Sequence, residues 1–264
     1  MYDVMKIEEL PKFLFHYTSI ETLACILKYK KLRFTRLDKV NDRNEAKSVD
    51  IKKANSLVFV SCWTNNETES IPMWNMYTNG MSGVRIKVPI NLFKGRRDPI
   101  IFERGGARTF IESDFYLIER QPPALGINGK SVIGPNKIHY SNEPKYLETK
   151  CIEKVDINLN IDLSDLGMFK DLSWAYEEEW RFRILGMIDS YYPDNDFTNS
   201  VILDLEQYKV IPTYIDLEID DEIFNELEIT TGPKITDPQM IVLESLIEKY
   251  APKTKISTSQ LSIR

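Results

Sequence analysis

The first residues with types suited to chemistry are a histidine and a tyrosine near the start of the chain. His16 and Tyr17 end the apolar run "FLFHY", and His16 is one of only two histidines among 264 residues. Such a run is typical of a short buried strand. A buried histidine is commonly a hydrogen-bonded core residue, and at a strand end it can instead face a cleft and contact a ligand. The sequence leaves both interpretations open.

A run of three glutamates, in "SWAYEEEWRFRI", is the second such feature. If a strand begins near Glu178, side-chain alternation places Glu177 and Glu179 on one side and Glu178 on the other. Carboxylates at the start of a core strand often face a cleft. The same residues also fit a solvated helix end, or a structural ion pair with Arg181 or Arg183.

Three aromatic residues complete the set. Trp63 ends the strand pattern "SLVFVSCW", and Trp74 and Tyr77 lie in the short helical segment "ESIPMWNMYTNG". Residues of this kind usually belong to the core, and they also form the walls of ligand pockets.

Several common chemistries are absent from the sequence. Two histidines and three dispersed cysteines (Cys25, Cys62 and Cys151) do not match a zinc site, so we expect no metal. The cysteines fit reduced, buried, small residues. The glycine-rich phosphate loop, the dinucleotide fingerprint and the serine-hydrolase elbow are all missing from the sequence.

Composition indicates one packed domain spanning residues 1–264. Hydrophobic residues make up 42% of the chain and charged residues 28%, with a net charge of −6. The acidic balance disfavours non-specific nucleic-acid binding, although the stretch Lys28–Arg43 is locally basic. The absence of a membrane-length apolar run and of a signal-peptide pattern predicts a cytoplasmic protein with no membrane partner.

The pattern of elements predicts an α+β fold. Four segments read as buried strands of one antiparallel or mixed sheet: Phe13–Tyr17, Leu57–Trp63, Gly83–Val88 and Trp180–Leu185. We expect six helical segments around them: Ser19–Tyr29 capped by Thr18 with Glu21, a helix ending near Ala54, a short helix closed by Gly80, a helix that follows a strand in "KIHYSNEPKYLE", a helix from Ser164 to about Tyr176, and a helix capped by Asp237 with Pro238 in its first turn. Residues 91–136 have a weaker pattern and predict an irregular insertion.

Three segments of the chain resemble successive blocks of the bacterial domain of unknown function 2971. They are "FHYTSIETLACILKYKKLRFTRLDKVNDRNE", "VFVSCWTNNETESIPMWNMYTNGMSGVRIKV" and "WAYEEEWRFRI". The family's N-D-P-x-E turn appears here as Asn41-Asp42-Arg43-Asn44-Glu45, which departs from the pattern but retains Glu45. The insertion at 91–136 matches no motif of the family.

This family in turn resembles the ADP-ribosyltransferases, at a distance. That resemblance implies a split, mostly antiparallel sheet flanked by helices, with NAD as the substrate in a cleft. It implies that His16 holds the ribose, that Glu179 is the catalytic glutamate, and that Trp74 or Tyr77 stacks on nicotinamide. We therefore expect His16 and Glu179 on neighbouring strands of one pocket. The residues expected to contact NAD are His16, Tyr17, Thr18, Arg36, Trp74, Tyr77 and Glu177, with Arg33, Arg36 and Arg43 available to the diphosphate.

The implied function is an ADP-ribosyltransferase-like enzyme. It would cleave the nicotinamide–ribose bond of NAD and pass ADP-ribose to an unidentified acceptor, in bacterial conflict or phage defence. Two alternatives stay open: a module of the same fold that binds a nucleotide derivative or a partner without chemistry, and an enzyme of the same fold that modifies nucleic acid.

Overall fold

The computed structural model describes residues 10–94, 100–102, 106–110, 125–127, 131–155, 158–188, 203–204 and 213–263. Much of the predicted insertion lies outside these ranges, as do residues 1–9, on which the signal-peptide expectation partly rests.

The described residues form an α+β structure built on a mixed, mostly antiparallel sheet of twelve strands. The other eight strands of the described residues form four separate two-stranded pairs: β3 with β12, β4 with β17, β11 with β15, and β13 with β14. All strands in chain order are β1 Phe13–Thr18, β2 Lys31–Arg36, β3 Lys47–Ser48, β4 Ile51–Lys52, β5 Val58–Thr64, β6 Val84–Pro89, β7 Ile100–Phe102, β8 Gly106–Phe110, β9 Leu125–Ile127, β10 Ser131–Lys137, β11 His139–Tyr140, β12 Glu148–Thr149, β13 Ile152–Val155, β14 Asn158–Ile161, β15 Phe169–Lys170, β16 Glu179–Ile188, β17 Leu203–Asp204, β18 Tyr214–Glu218, β19 Glu228–Thr231 and β20 Lys255–Thr258.

Helices flank this sheet. The α-helices are α1 Ile20–Tyr29, α2 Ile71–Tyr77, α3 Pro144–Leu147, α4 Ile223–Glu226 and α5 Asp237–Tyr250, and the 3₁₀-helices are Leu37–Lys39, Ala54–Leu57 and Leu172–Glu177.

The four predicted buried strands form the centre of the sheet, in the order β6–β1–β5–β16. Each pairs antiparallel with its neighbour. Their β-branched and aromatic residues lie in one core, as Val58, Phe59, Val84 and Phe182 illustrate. This prediction is confirmed.

The sheet is split along one edge of β5. On the other edge β16 pairs with β5 over seven residues. On the split edge β1 pairs with β5 only at Phe15 and Thr64, and β2 pairs with β5 only near Val60. Helix α1 connects β1 to β2, so the chain leaves the sheet after β1 and returns further along the same edge. Residues 61–63 of β5 therefore face a gap.

Two helix caps differ from the prediction. The side chain of Ser19, and not that of Thr18, caps α1 by accepting a hydrogen bond from the Thr22 N–H. Thr18 is the last residue of β1, where strand pairing with Val84 holds it. Helix α5 is capped by Thr236, which forms a capping box with Gln239, so that Asp237 is its first residue.

Two segments predicted to be helical are described by the structure but are mostly not helical. The segment before Ala54 forms β3, β4 and turns, because the Asp50 carboxylate accepts the N–H groups of Cys151 and Ile152 and ties the chain to a distant segment. The helix predicted from Ser164 begins only at Leu172, since Gly167 adopts a left-handed conformation with φ +73° and interrupts the earlier turns.

Candidate functional site

A cavity of about 310 Å³ lies at the split of the sheet. It is lined by residues of β1, β2, β5, α2, the Leu37–Lys39 helix, the following loop, β15, the Leu172–Glu177 helix and β16. The lining residues are Phe15, His16, Tyr17, Arg33, Thr35, Lys39, Val40, Asn41, Asp42, Glu45, Val60, Ser61, Cys62, Trp63, Met73, Tyr77, Lys170, Glu177, Glu179 and Arg181.

His16 borders the gap between β1 and β5. Its Nδ1 lies 2.8 Å from the carbonyl oxygen of Cys62, and its ring packs on Trp63 with centroids 5.1 Å apart. Burial lowers the pKa of His16, and the bond to the Cys62 carbonyl offsets this in part. The neutral ring donates from Nδ1, so Nε2 remains a hydrogen-bond acceptor.

His16 and Glu179 are not on neighbouring strands, because β5 lies between β1 and β16. That expectation was wrong. Phe15 pairs with Thr64, and Thr64 pairs with Glu179, so these three side chains share one face of the sheet. Alternation directs His16 to the opposite face. Both His16 and Glu179 nevertheless border the same cavity, because the sheet is open at the split.

Glu179 is held by two buried cations. Its side chain accepts two hydrogen bonds from Arg181, at 2.6 Å and 2.8 Å, and one from Lys170 Nζ at 3.1 Å. Burial opposes ionisation, but Arg181 and Lys170 outweigh it and lower the pKa of Glu179 to about 2. The ion pair with Arg181 that the sequence left open is therefore present, whereas Arg183 donates instead to main-chain carbonyls.

The charges continue on either side of Glu179. Arg181 also donates to Glu45, and Lys170 also donates to Glu177. Burial raises the pKa of both Glu45 and Glu177. Three carboxylates face two cations in this buried cluster, so it carries one excess negative charge when all are ionised.

The backbone at Glu178 explains how two nearby glutamates reach one cluster. Glu178 adopts a left-handed conformation, with φ 44°, between the Leu172–Glu177 helix and β16. Glu177 and Glu179 are buried on the cavity side, and Glu178 is exposed. The two glutamates thus share a side, as expected, although through a turn and not through a continuous strand.

The aromatic candidates separate. Tyr77 lines the cavity, and its hydroxyl donates a hydrogen bond to Glu177. Burial raises the pKa of this tyrosine strongly. Trp74 is fully buried, packs edge-on against Tyr17 and donates Nε1–H to Glu69. Trp74 is therefore not a wall of the cavity, while Trp63 is.

The other expected contacts also divide. Tyr17 lines the cavity and accepts a hydrogen bond from the Ser70 N–H. Thr18 is buried away from the cavity lining. Arg36 is outside the lining and donates to Asp38, because the chain turns into the Leu37–Lys39 helix there.

The arginines expected near the diphosphate are likewise separated. Arg33 lines the cavity, with its Nε and Nη2 bound to Asp216. Arg43 is exposed and lies outside the lining.

Two residues of the site escaped the sequence analysis. Lys170 links two of the glutamates, and the Tyr140 hydroxyl accepts the Glu179 N–H at 2.8 Å. Both come from the small parallel pair β11–β15. No spacing in the sequence connects them to Glu179, so only the tertiary structure identifies them.

Among the described residues, no group of three or more His, Cys, Asp or Glu side chains is placed to hold a metal ion. No helix in the described part of the chain is long and apolar enough to cross a membrane.

Comparison with known proteins supports the family resemblance. A family described as "Protein of unknown function (DUF2971)" matches residues 73–182, a range that includes Tyr77, Lys170 and all three glutamates of the "EEE" run. No curated protein and no solved structure gives a significant match.

Proposed function

We propose that the protein binds NAD or a related nucleotide in this cavity, cleaves the nicotinamide–ribose bond and transfers ADP-ribose to a macromolecular acceptor. The observation that carries the proposal is the convergence of His16, two aromatic walls and the buried carboxylates on one cavity at a split sheet. The proposal places this reaction in the bacterial cytoplasm, in a conflict or defence role.

The chemistry suits the residues present. Cleavage of a glycosidic bond passes through a state in which the ribose resembles an oxocarbenium ion. An ionised Glu179 stabilises this positive charge more than it stabilises the ground state. Trp63 and Tyr77 supply flat apolar surface for the nicotinamide ring and exclude water.

The size of the cavity suggests how the ligand lies. Ligand pockets have volumes of roughly 300–1,000 Å³, so 310 Å³ suits a nucleoside-sized group and not a whole dinucleotide. We place the nicotinamide riboside half inside and the diphosphate at the mouth. Arg33 and Lys39, whose side chains are about half exposed, line that side.

The direct test is release of nicotinamide. The purified protein is incubated with NAD, with and without a bacterial lysate as the source of acceptor, and free nicotinamide is measured. We expect release that depends on the folded protein and increases with lysate. Absence of release under every condition would contradict the enzymatic proposal.

A second function, binding without chemistry, is favoured by one observation. Arg181 and Lys170 occupy both oxygens of Glu179, as in a purely structural ion cluster. In that case ADP-ribose or NAD raises the melting temperature but is recovered intact. Thermal shift and nicotinamide release, measured on one preparation, distinguish the two functions.

A further inference from the structure

The split edge of β5 exposes a main-chain group whose direction can be worked out. Along a strand, successive residues direct their N–H and C=O groups alternately to opposite edges. The hydrogen bonds of Glu179 show which residues of β16 direct their main-chain groups away from β5. Its N–H donates to the Tyr140 hydroxyl and its C=O accepts from the Ile138 N–H, both at 2.8 Å, so its main chain points away from β5.

The alternation of main-chain directions along β5 follows from its pairing with β16. Thr64 is the partner of Glu179, so the main-chain groups of Thr64 point away from β16, toward β1. Cys62 and Val60 follow at steps of two and point the same way. Phe15 pairs with Thr64, and Thr35 pairs with Val60.

An independent contact on β2 agrees with this alternation. The Arg36 N–H donates to the Thr213 carbonyl at 2.9 Å, on the side of β18. The main chain of Thr35 therefore points the other way, toward β5.

Cys62 is thus a residue of β5 whose main-chain groups point toward β1 and β2 but which pairs with neither strand. Its C=O accepts the hydrogen bond from His16 Nδ1. Its N–H points into the same gap, where no strand of the described residues pairs with it. Cys62 and both its chain neighbours line the cavity. A main-chain N–H removed from water and left unpaired is costly, by about 1–3 kcal/mol, so such groups nearly always have a water or ligand partner.

We propose that the Cys62 N–H recognises the ligand by donating to a planar carbonyl oxygen, of the carboxamide class. A carbonyl is the group that a neighbouring strand would have presented at this position. The flat walls of Trp63 and Tyr77 suit an aromatic ring that carries the carbonyl. The inference rests on the proposed function in that nicotinamide is such a ring with a carboxamide.

Selective labelling can observe this single amide. The chain has three cysteines, so [¹⁵N]cysteine gives three amide signals. Cys25 lies within α1, and the Cys151 N–H donates to the Asp50 carboxylate at 3.0 Å, so both are internal controls. Without ligand, we expect the Cys62 amide to exchange with deuterium faster than that of Cys151. Nicotinamide should shift the Cys62 amide proton downfield and slow its exchange, whereas pyridine, which lacks the carboxamide, should not.

Matched variants test the same group by affinity. Cys62→Ala keeps the N–H and removes the thiol that contacts Glu179, so it is the reference against which loss of the N–H itself is measured. Cys62→Pro removes an N–H that no described strand pairs with, and should weaken binding about tenfold, the effect of one hydrogen bond. Ser61→Pro is the control for the backbone change, because its N–H faces β16 and its loss should unfold the protein.

The outcomes separate this inference from the enzymatic proposal. Protection of the Cys62 amide without ligand would overturn the inference, since it would reveal an internal partner. NAD cleavage with an unperturbed Cys62 amide would also overturn the inference, while supporting the proposed enzymatic function. A Cys62 shift with nicotinamide but no NAD cleavage would support the inference and reject the enzyme. If the labelled protein is folded and the Cys62 amide signal moves with neither saturating nicotinamide nor saturating NAD, the inference is overturned.

Discussion

Glu179 has contacts that serve both the stability of the fold and the proposed chemistry, so its structural and catalytic roles have to be measured separately. Glu179→Gln keeps the size of the side chain but leaves Arg181 without its bidentate partner in the buried cluster. We expect a loss of about 3–5 kcal/mol in the free energy of unfolding, the range for removing one partner of a buried ion pair. If Glu179 is also catalytic, nicotinamide release should fall about a hundredfold or more.

The exposed neighbour Glu178 supplies the matched control. Glu178→Gln should change neither quantity much, and both variants should be assayed at a temperature where they are folded. Normal turnover by folded Glu179→Gln would contradict a catalytic role for this residue.

The pH dependence of stability gives a second readout of the same substitution. The pKa of Glu179 is about 2 in the folded protein, below the ordinary value of 4.5. Its contribution to stability is therefore complete above about pH 4.5 and is lost as the pH falls toward 2. The stability difference between the wild type and Glu179→Gln should shrink over that interval.

What the sequence could predict at this scale depended on local pattern. His16 was identifiable because an apolar strand run is a local pattern. The two inward glutamates share a side as expected, but through the turn at Glu178 and not through the strand alternation used to predict them. Of the two alternatives for the nicotinamide platform, Tyr77 lines the cavity, whereas Trp74 lies in a separate apolar cluster with Tyr17 and Met81. Lys170 and Tyr140 were missed because only the β11–β15 pair brings them to Glu179.

The elements around the cavity were predictable to different degrees. Strands β1 and β5 are mostly apolar runs, whereas β6 and β16 alternate apolar with charged residues. Both patterns are typical of strands, so all four could be predicted. The segment around residue 50 and the segment after residue 164 were predicted as helices, since their composition permits a helix. Long-range contacts such as that of Asp50 with Cys151, and the left-handed Gly167, determine their actual conformation.

One element of the wall, helix α2, is positioned by a buried arginine on β6. Arg85 stacks over Phe15, with 3.9 Å from Cζ to the ring centroid, and donates to the carbonyls of Asn66 and Glu67. These bonds hold the loop that leads into α2, whose last residue is Tyr77. Arg85→Lys keeps the charge but loses the planar guanidinium, which stacks on Phe15 while its Nη2 donates both bonds. We expect faster hydrogen exchange in residues 65–77 and a higher KM for NAD, with kcat little changed.

Lys87 is a suitable control because it lies on the same strand and pairs with Glu228, away from the loop. Lys87→Arg should leave both the exchange rates and KM unchanged. Unaltered exchange in Arg85→Lys would show that Arg85 does not position the loop, whatever its effect on overall stability.

At the scale of the whole molecule, the cavity lies where two parts of the sheet meet. The strands β1, β6, β19 and β20 lie on one side of the split, and β2 and β18 lie on the other, with β5 along both. One hydrophobic core contains residues from both parts, among them Leu14, Phe34 and Ile229. A ligand in the cavity therefore contacts both parts, and its binding should stabilise them as one unit.

This arrangement predicts a ligand-dependent melting transition. A ligand at a hundred times its Kd, binding only the folded state, adds about 2.7 kcal/mol to the free energy of unfolding. For a domain of this size, that corresponds to a rise of roughly 5–10 °C in Tm. We expect NAD to produce this rise in a single transition. Nicotinamide alone, which fills only the inner part of the proposed site, should need a higher concentration for the same shift. Calorimetry checks both expectations. Two separate transitions, with only one moved by NAD, would show that the ligand contacts one part of the sheet and would place the binding site away from the split.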